Sequence, residues 1–232
     1  MYKYGQYCPV ARATEILGER WTLLIIRDFL TGARHFNELV RGLPGISRAL
    51  LVRRLDSLEK EGVIEKQEID RGRHNTEYRL TEAGEALAKV VESLLEWGAR
   101  WAFGEPRPEE LDPVLLLWWM RQRVHRERLP QERVVVQFDF QGAEQASYWL
   151  VLTKDDVSVC LNYPGFQVDV LVTADLAAFY QVWLGRIRFA DALQTDRVAV
   201  EAIPSLRRLF PDLFAWSHAA ETVRTASAKS PA

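Results

Sequence analysis

The sequence predicts an α+β protein of two domains: a first half of helices closed by a two-stranded hairpin, and a second half in which an antiparallel sheet is covered by helices. Three stretches predict it. In residues 43–62, LPGISRALLVRRLDSLEKEG, Pro44 and Gly45 break the chain and an amphipathic helix follows. Residues 63–80 hold two short strand patterns around a polar turn. Residues 133–140 alternate, with Val134, Val136, Phe138 and Phe140 on one face.

The helix after the break is well marked. The Ser47 hydroxyl suits an N-cap, since it can accept from an orphan amide of the first turn. Leu51, Leu55 and Leu58 recur at i, i+4 and i+7 and form one apolar stripe. Ala49, Arg53 and Lys60 point the opposite way. Gly62 can end the helix in the left-handed conformation that glycine adopts at little cost.

Earlier residues supply the partners of this helix. Residues 8–16 read as a short helix ended by Gly18. Residues 21–30 read as a second, closed by Gly32, and residues 35–39 begin a third. Helix, short turn, helix is the helix-turn-helix pattern, whose second helix is presented to the DNA major groove. Residues 63–69 and 76–80 then read as strands around the turn Asp70-Arg71-Gly72-Arg73-His74-Asn75, and Thr81 caps a long helix, TEAGEALAKVVESLLEWGARWAF. A hairpin with a basic tip directly after a recognition helix is a winged helix.

At this point the chain resembles the HxlR-type winged helix-turn-helix transcriptional regulators over roughly residues 5–103. The shared residues are Cys8-Pro9, Gly18-Glu19-Arg20-Trp21, Arg27-Asp28-Phe29-Leu30 with Gly32, Phe36-Asn37-Glu38-Leu39, Pro44-Gly45-Ile46-Ser47, Leu55 to Gly62, Glu77-Tyr78-Arg79-Leu80-Thr81 and Trp97-Gly98. Three places depart from the pattern: His35 stands for arginine, Ala49 and Val52 for lysine and threonine, and Arg73-His74-Asn75 for a wing with proline. The departures bear on the bound sequence and the wing path.

Residues 104–110, with two prolines and three acids, read as an extended, solvated linker. The expected boundaries are 1–104, a linker at 105–111, a second domain at 112–220 and a disordered tail at 221–232. In the second domain Asp112-Pro113 opens a helix over 114–128, whose last turns carry Arg121, Arg123, Arg126 and Arg128 as solvated charges complementing the helix dipole. Strands are expected at 133–140, 147–153, 157–163, 168–173 and 197–201. Asp175 caps a helix with Phe179 and Trp183 on one stripe, and Pro204 starts a last helix reaching Trp216. From Asp169 to Trp216 the chain resembles the sterol carrier protein type 2 domain, through Asp169-Val170-Leu171-Val172-Thr173, Asp175 to Gly185, Arg188 to Leu193 and Val198 to Glu201. That resemblance implies an apolar ligand cavity between sheet and helices.

Composition narrows the function. The 232 residues carry a net charge of −2, so any DNA-binding face is local rather than global. Two cysteines, Cys8 and Cys160, form no CxxC pair, which argues against a disulfide framework or a structural zinc site. The four histidines are scattered, and no GxSxG, P-loop or GxGxxG occurs. No catalysis, metal or cofactor is expected. Apolar runs are too short to span a bilayer, the first residues show no leader pattern, and a cytoplasmic protein without membrane insertion is expected.

DNA contacts are expected from Ser47, Arg48 and Arg53 on the recognition helix, from Arg71, Arg73 and His74 on the wing, and from Arg34 and Arg41 flanking the first helix of the motif. Each arginine suits a phosphate better than a base, because most protein–DNA hydrogen bonds go to the backbone. Arg54, close to the leucine stripe, is expected to pair with an acid. Trp118, Phe138, Trp149, Phe179 and Trp183 are candidates to line an apolar cavity, core packing being the plainer role for each. Cys8 is either a thiol sensor, as in some proteins of the resembled family, or a small hydrophobe at a helix start. The expectation is a homodimeric regulator on double-stranded operator DNA, tuned by an apolar small molecule in the second domain. The alternatives are a lipid carrier or lipid-metabolism protein with a winged helix, and a protein-interaction module.

Overall fold

The computed structural model describes residues 3–70, 74–143 and 147–229, with the side chains of 69, 70, 74, 75 and 227–229 left out. Two compact units divide it, Met1–Leu94 and Leu95–Ala232.

In the first unit α1 (Pro9–Leu17) begins on a proline, whose missing N–H is one the first turn has no partner for. The helix expected from residue 21 is α2 (Thr22–Leu30), one residue later. Trp21 sits before it at φ +80°, a left-handed conformation that costs a bulky residue on the order of 1–3 kcal/mol. Its ring packs against the first unit's core. Then come α3 (Phe36–Gly42) and α4 (Arg48–Lys60). The Ser47 hydroxyl accepts from the Leu50 amide at 3.2 Å. Leu51, Leu55 and Leu58 are buried with Ile25, Ile26 and Phe29 of α2 and Leu39 of α3. Behind α4, β1 (Ile64–Asp70) and β2 (His74–Leu80) pair antiparallel, Ile64 opposite Leu80.

The helix expected to run unbroken from Thr81 is two helices, α5 (Glu82–Glu85) and α6 (Ala88–Trp101). The cause lies at Gly84. The Thr81 amide bonds the Val63 carbonyl at 3.1 Å, which presses Gly84 so close that a Cβ there would overlap the same oxygen. The chain then tightens: Leu87 donates to the Gly84 carbonyl, three residues back rather than four.

In the second unit α7 (Pro113–Arg121) is capped by Asp112, whose Oδ1 accepts from the Val114 and Leu115 amides at 2.8 and 3.1 Å. It stops at Arg121, well short of the expected residue 128. Past it the chain bridges Val124 to Phe214, and the four arginines donate to carbonyls: Arg121 and Arg123 are half-buried in doing so, while Arg126 and Arg128 stay exposed to water as expected. Arg121 donates to Val157 O. Arg123 Nε donates to Ala215 O at 2.6 Å and Trp216 O at 2.8 Å, Arg126 to Asp155 O at 2.8 Å, and Arg128 to Asp212 O at 3.3 Å.

The sheet has strands β3 (Arg133–Gln141), β4 (Ser147–Thr153), β5 (Val157–Cys160), β6 (Val170–Asp175) and β7 (Val198–Ala202), in the order β5-β4-β3-β6-β7. It is mixed, not the antiparallel sheet expected. β4 and β5 fill one edge of β3, so residues 161–169 carry the chain across to the other edge, where β6 enters parallel to β3. Helices α8 (Leu176–Trp183) and α9 (Phe189–Gln194) follow β6, and α10 (Pro204–Leu209) follows β7. Val134, Val136, Phe138 and Phe140 share one apolar cluster with Phe179 and Trp183 of α8 and Leu116, Leu117 and Met120 of α7.

Two further expectations are corrected here. The single helix expected from Pro204 to Trp216 ends at Leu209, continues as a 3-10 turn, Phe210–Leu213, and then gives way to the Phe214 bridge. Up to residue 229 the tail expected to be disordered forms α11 (Ala220–Lys229), where Ala220 closes over Gly185 and Val223 is buried; residues 230–232 lie outside the described residues. No helix among the described residues is long and apolar enough to cross a membrane.

Candidate nucleic-acid interface

The helix pair α3–α4 is held by short-range chemistry. Glu38 Oε2 accepts from the Arg34 and His35 amides at 2.8 and 3.1 Å, which fixes the start of α3. Gly45 takes φ +90° in the turn, and the flanking Leu43 and Ile46 are buried. The hairpin is tied to the same point. The Tyr78 amide bonds Arg34 O at 2.8 Å, and His35 Nδ1 lies 3.2 Å from Thr76 O. A carbonyl only accepts, so Nδ1 carries the hydrogen. His35 Nε2 faces Glu77 at 4.0 Å.

On α4 the exposed residues are Arg48, Ala49, Val52, Arg53, Asp56, Glu59 and Lys60. Arg48 lies over the Phe36 ring, 5.5 Å to its centroid, and donates to Asn37 Oδ1 at 3.3 Å, so its guanidinium is steered to the tip where α3 and α4 meet. Ser47 is exposed beside it, and Arg53 is exposed one turn further on. Arg41 is exposed on the last turn of α3. Arg34 is differently employed: its Nη1 donates to Phe29 O and Ala33 O, both at 2.9 Å, and closes the end of α2. Arg54 pairs with Glu19 at 2.6 Å and donates to Arg20 O at 3.0 Å. Arg71, Arg73 and the His74 side chain lie outside the described residues.

One charged residue was not singled out from the sequence. Asp28 is buried at 6% exposure under the α3–α4 turn. Its Oδ1 accepts from Arg27 Nε and Nη2 at 2.9 and 2.7 Å, while Oδ2 is buried without a partner, against Gly42. Burial pushes the Asp28 carboxyl up to about 6, against the pull of the Arg27 charge and hydrogen bonds. Its sequence signal was position: it follows Ile25 by three residues, on the buried side of α2.

The HxlR-like helix-turn-helix family model matches residues 16–105. The HTH-type transcriptional regulator YvaP of Bacillus subtilis, itself uncharacterised, is 36% identical over 98 residues, which are 42% of this chain and 91% of that protein. The chain belongs to the HxlR-like helix-turn-helix family. YodB of Bacillus subtilis, a transcriptional regulator by name, is 35% identical over 100 residues, 43% of this chain and 88% of that protein. An uncharacterised HTH-type transcriptional regulator of Mycobacterium tuberculosis is 43% identical over 100 residues, and the matched part of this chain spans 61% of its length. The α3–α4 pair and the hairpin lie inside the HxlR-like match, and most of the second unit lies beyond it.

In that second unit the proposed cavity residues are built into packing. Phe138 and Phe179 meet edge to face at 5.7 Å, and Trp183 lies 6.1 Å from Trp216. Trp118 is buried under Arg121, 4.6 Å away. Trp149 differs. It pairs across the sheet with Gln137, whose Oε1 accepts from its Nε1 at 3.1 Å, and meets the exposed Tyr163 at 6.2 Å. Gln137 is offset by one residue from Val136 and Phe138, so Trp149 stands on the opposite face from the buried phenylalanines. Cys8 is a half-buried free thiol at the N-cap of α1. The nearest arginine in sequence, Arg12, is paired with Glu15 at 3.0 Å.

Proposed function

We propose that this HxlR-like protein is a transcriptional regulator that binds double-stranded operator DNA through α4, as a homodimer. The carrying observation is the outer face of α4: Arg48 and Arg53 stand exposed on its first half, while Arg34 and Arg54 are committed to holding the fold. The acids Asp56 and Glu59 lie in the second half, so the helix favours phosphate at its leading end. Arg53→Ala is expected to fold normally and to weaken binding to the DNA upstream of its own gene. A guanine reader would lose about 1–3 kcal/mol at one base position, and a phosphate contact would lower the salt slope by about one unit. Unchanged affinity on every sequence would take Arg53 out of the interface.

The homodimer reading is supported by apolar surface that this chain leaves in water. No residue of α6 is buried, and its Leu94, Trp97 and Trp101, at i, i+3 and i+7, are 46%, 60% and 65% exposed. Patches of this kind mark interfaces. The full chain should sediment as a dimer at micromolar concentration and Leu94→Asp as a monomer. A monomeric parent protein that still protects two half-sites would contradict this assembly.

For the second unit we propose control by an apolar small molecule, supported by the sequence resemblance of residues 169–216 to the sterol carrier domain and by an aromatic-rich core shared by sheet and helices. A guest between the layers has to part Phe138 from Phe179. Adding a long-chain fatty acid to the full chain should therefore shift tryptophan emission and change operator affinity together. If neither moves, the unit is a packed interaction module.

A further inference from the structure

Val52 lies outside the apolar core of the described residues. It is a β-branched residue at 45% exposure in the middle of α4, where valine is a poorer helix former than the charged residues around it. Ala49, one turn earlier, is exposed beside it. Together they make an apolar strip on the leading half of a helix whose neighbouring exposed side chains, Arg48 and Arg53, are cations. Ala49 and Val52 can neither donate nor accept a hydrogen bond. In a major groove the apolar feature they can meet is the 5-methyl group of thymine. The N-terminal part of a recognition helix is also the part that reaches base edges.

We propose that Ala49 and Val52 form a methyl-reading strip that selects thymine at one or two positions of the bound site, with Arg48 and Arg53 holding the flanking bases or phosphates. This rests on the reading that α4 enters the major groove. The strip sets sequence preference without adding a hydrogen bond. It discriminates by desolvation: a cytosine there would bring its N4 amino group against apolar side chains that cannot accept from it.

The test uses the full chain and a site selected from a randomised duplex library. Each thymine of that site is replaced in turn by deoxyuridine, which lacks only the methyl group. At one or two positions affinity should fall about four-fold, the effect of returning one methyl-sized contact to water. Val52→Ala should bind the parent duplex several-fold more weakly and lose the distinction between thymine and deoxyuridine at one of those positions. Its circular dichroism should match the parent, since alanine is the better helix former and Val52 is not buried. A selected site that is indifferent to every thymine methyl, or a Val52→Ala protein that keeps full discrimination, overturns the strip and leaves DNA binding standing. Recovery of no preferred sequence, with no salt-dependent binding to any duplex, overturns the DNA-binding reading and the strip together.

Discussion

Replacing Asp28 with asparagine is expected to change how the stability of the first unit depends on pH. In the native protein the buried carboxyl titrates near 6, against the ordinary value of 3.8 when unfolded. Below pH 3.8 both states are protonated and the site adds no penalty. As pH rises through the interval from 3.8 to 6, the unfolded chain releases its proton first, so native stability falls; above 6 the loss is complete. At pH 4 the unfolded carboxyl is already more than half ionised, so a shift of this size corresponds to about 2 kcal/mol at pH 7 relative to pH 4. Asparagine keeps the oxygen that accepts from Arg27 and removes the titration. The difference in urea-unfolding free energy between Asp28→Asn and the parent should therefore move in favour of the variant by about that amount from pH 4 to pH 7. Other carboxylates, such as Glu15, whose own shift is downward, act in both proteins and cancel. A difference that stays flat across this range would mean that Asp28 is not titrating in a buried site. Asp28 lies against Gly42, just before the turn into α4, so the same titration is expected to loosen the interface as pH rises.

Gly84→Ala is expected to be more damaging than any exposed substitution in the first unit. The added Cβ would meet the Val63 carbonyl oxygen, a backbone atom already bonded to the Thr81 amide, and also the Leu80 side chain. Relief requires α5 to move off the hairpin. A loss of about 3 kcal/mol or more is expected, as for other overpacked sites with no flexible neighbour. Thermal unfolding followed by circular dichroism measures it. A variant as stable as the parent would show that α5 is not pressed on the Val63 carbonyl as described. Gly98 serves as the contrast, because a Cβ there meets nothing within 4 Å.

Periodicity made the first unit readable in advance. Leu51, Leu55 and Leu58 at helical spacing, a serine at the cap and a glycine at the end left one reading for α4. The break between α5 and α6 was hidden because its cause, the approach of Val63 O to Gly84, comes from a residue 21 positions earlier and leaves no local mark. Of the four arginines at and after the end of α7, Arg121 and Arg123 misled for a related reason. A basic helix end usually faces water, and nothing near Arg123 in sequence announces the carbonyls of Ala215 and Trp216. The parallel pair β3–β6 was missed because strand patterning gives alternation but not direction. At the interface, sequence ranked Arg34 with Arg53. The structure separates them, since the carbonyls that occupy Arg34 are set by where α2 ends. Asp28 went unnoticed because its isolation is a property of packing.

The bonds from Arg123 to Ala215 and Trp216 join residues 92 and 93 positions apart. They impose an order on synthesis. The hydrogen bonds from Arg34 and His35 to the hairpin join residues within the first 81, so that part can close while the ribosome is still translating the sheet. The second unit cannot seal until its final turn and Ala220 have emerged, because until then the guanidinium of Arg123 and the backbone at Gly185 lack the partners they are shaped for. Contacts of such long sequence separation also close slowly. A nascent chain thus carries a completed helix-turn-helix head before the body proposed to regulate it has formed.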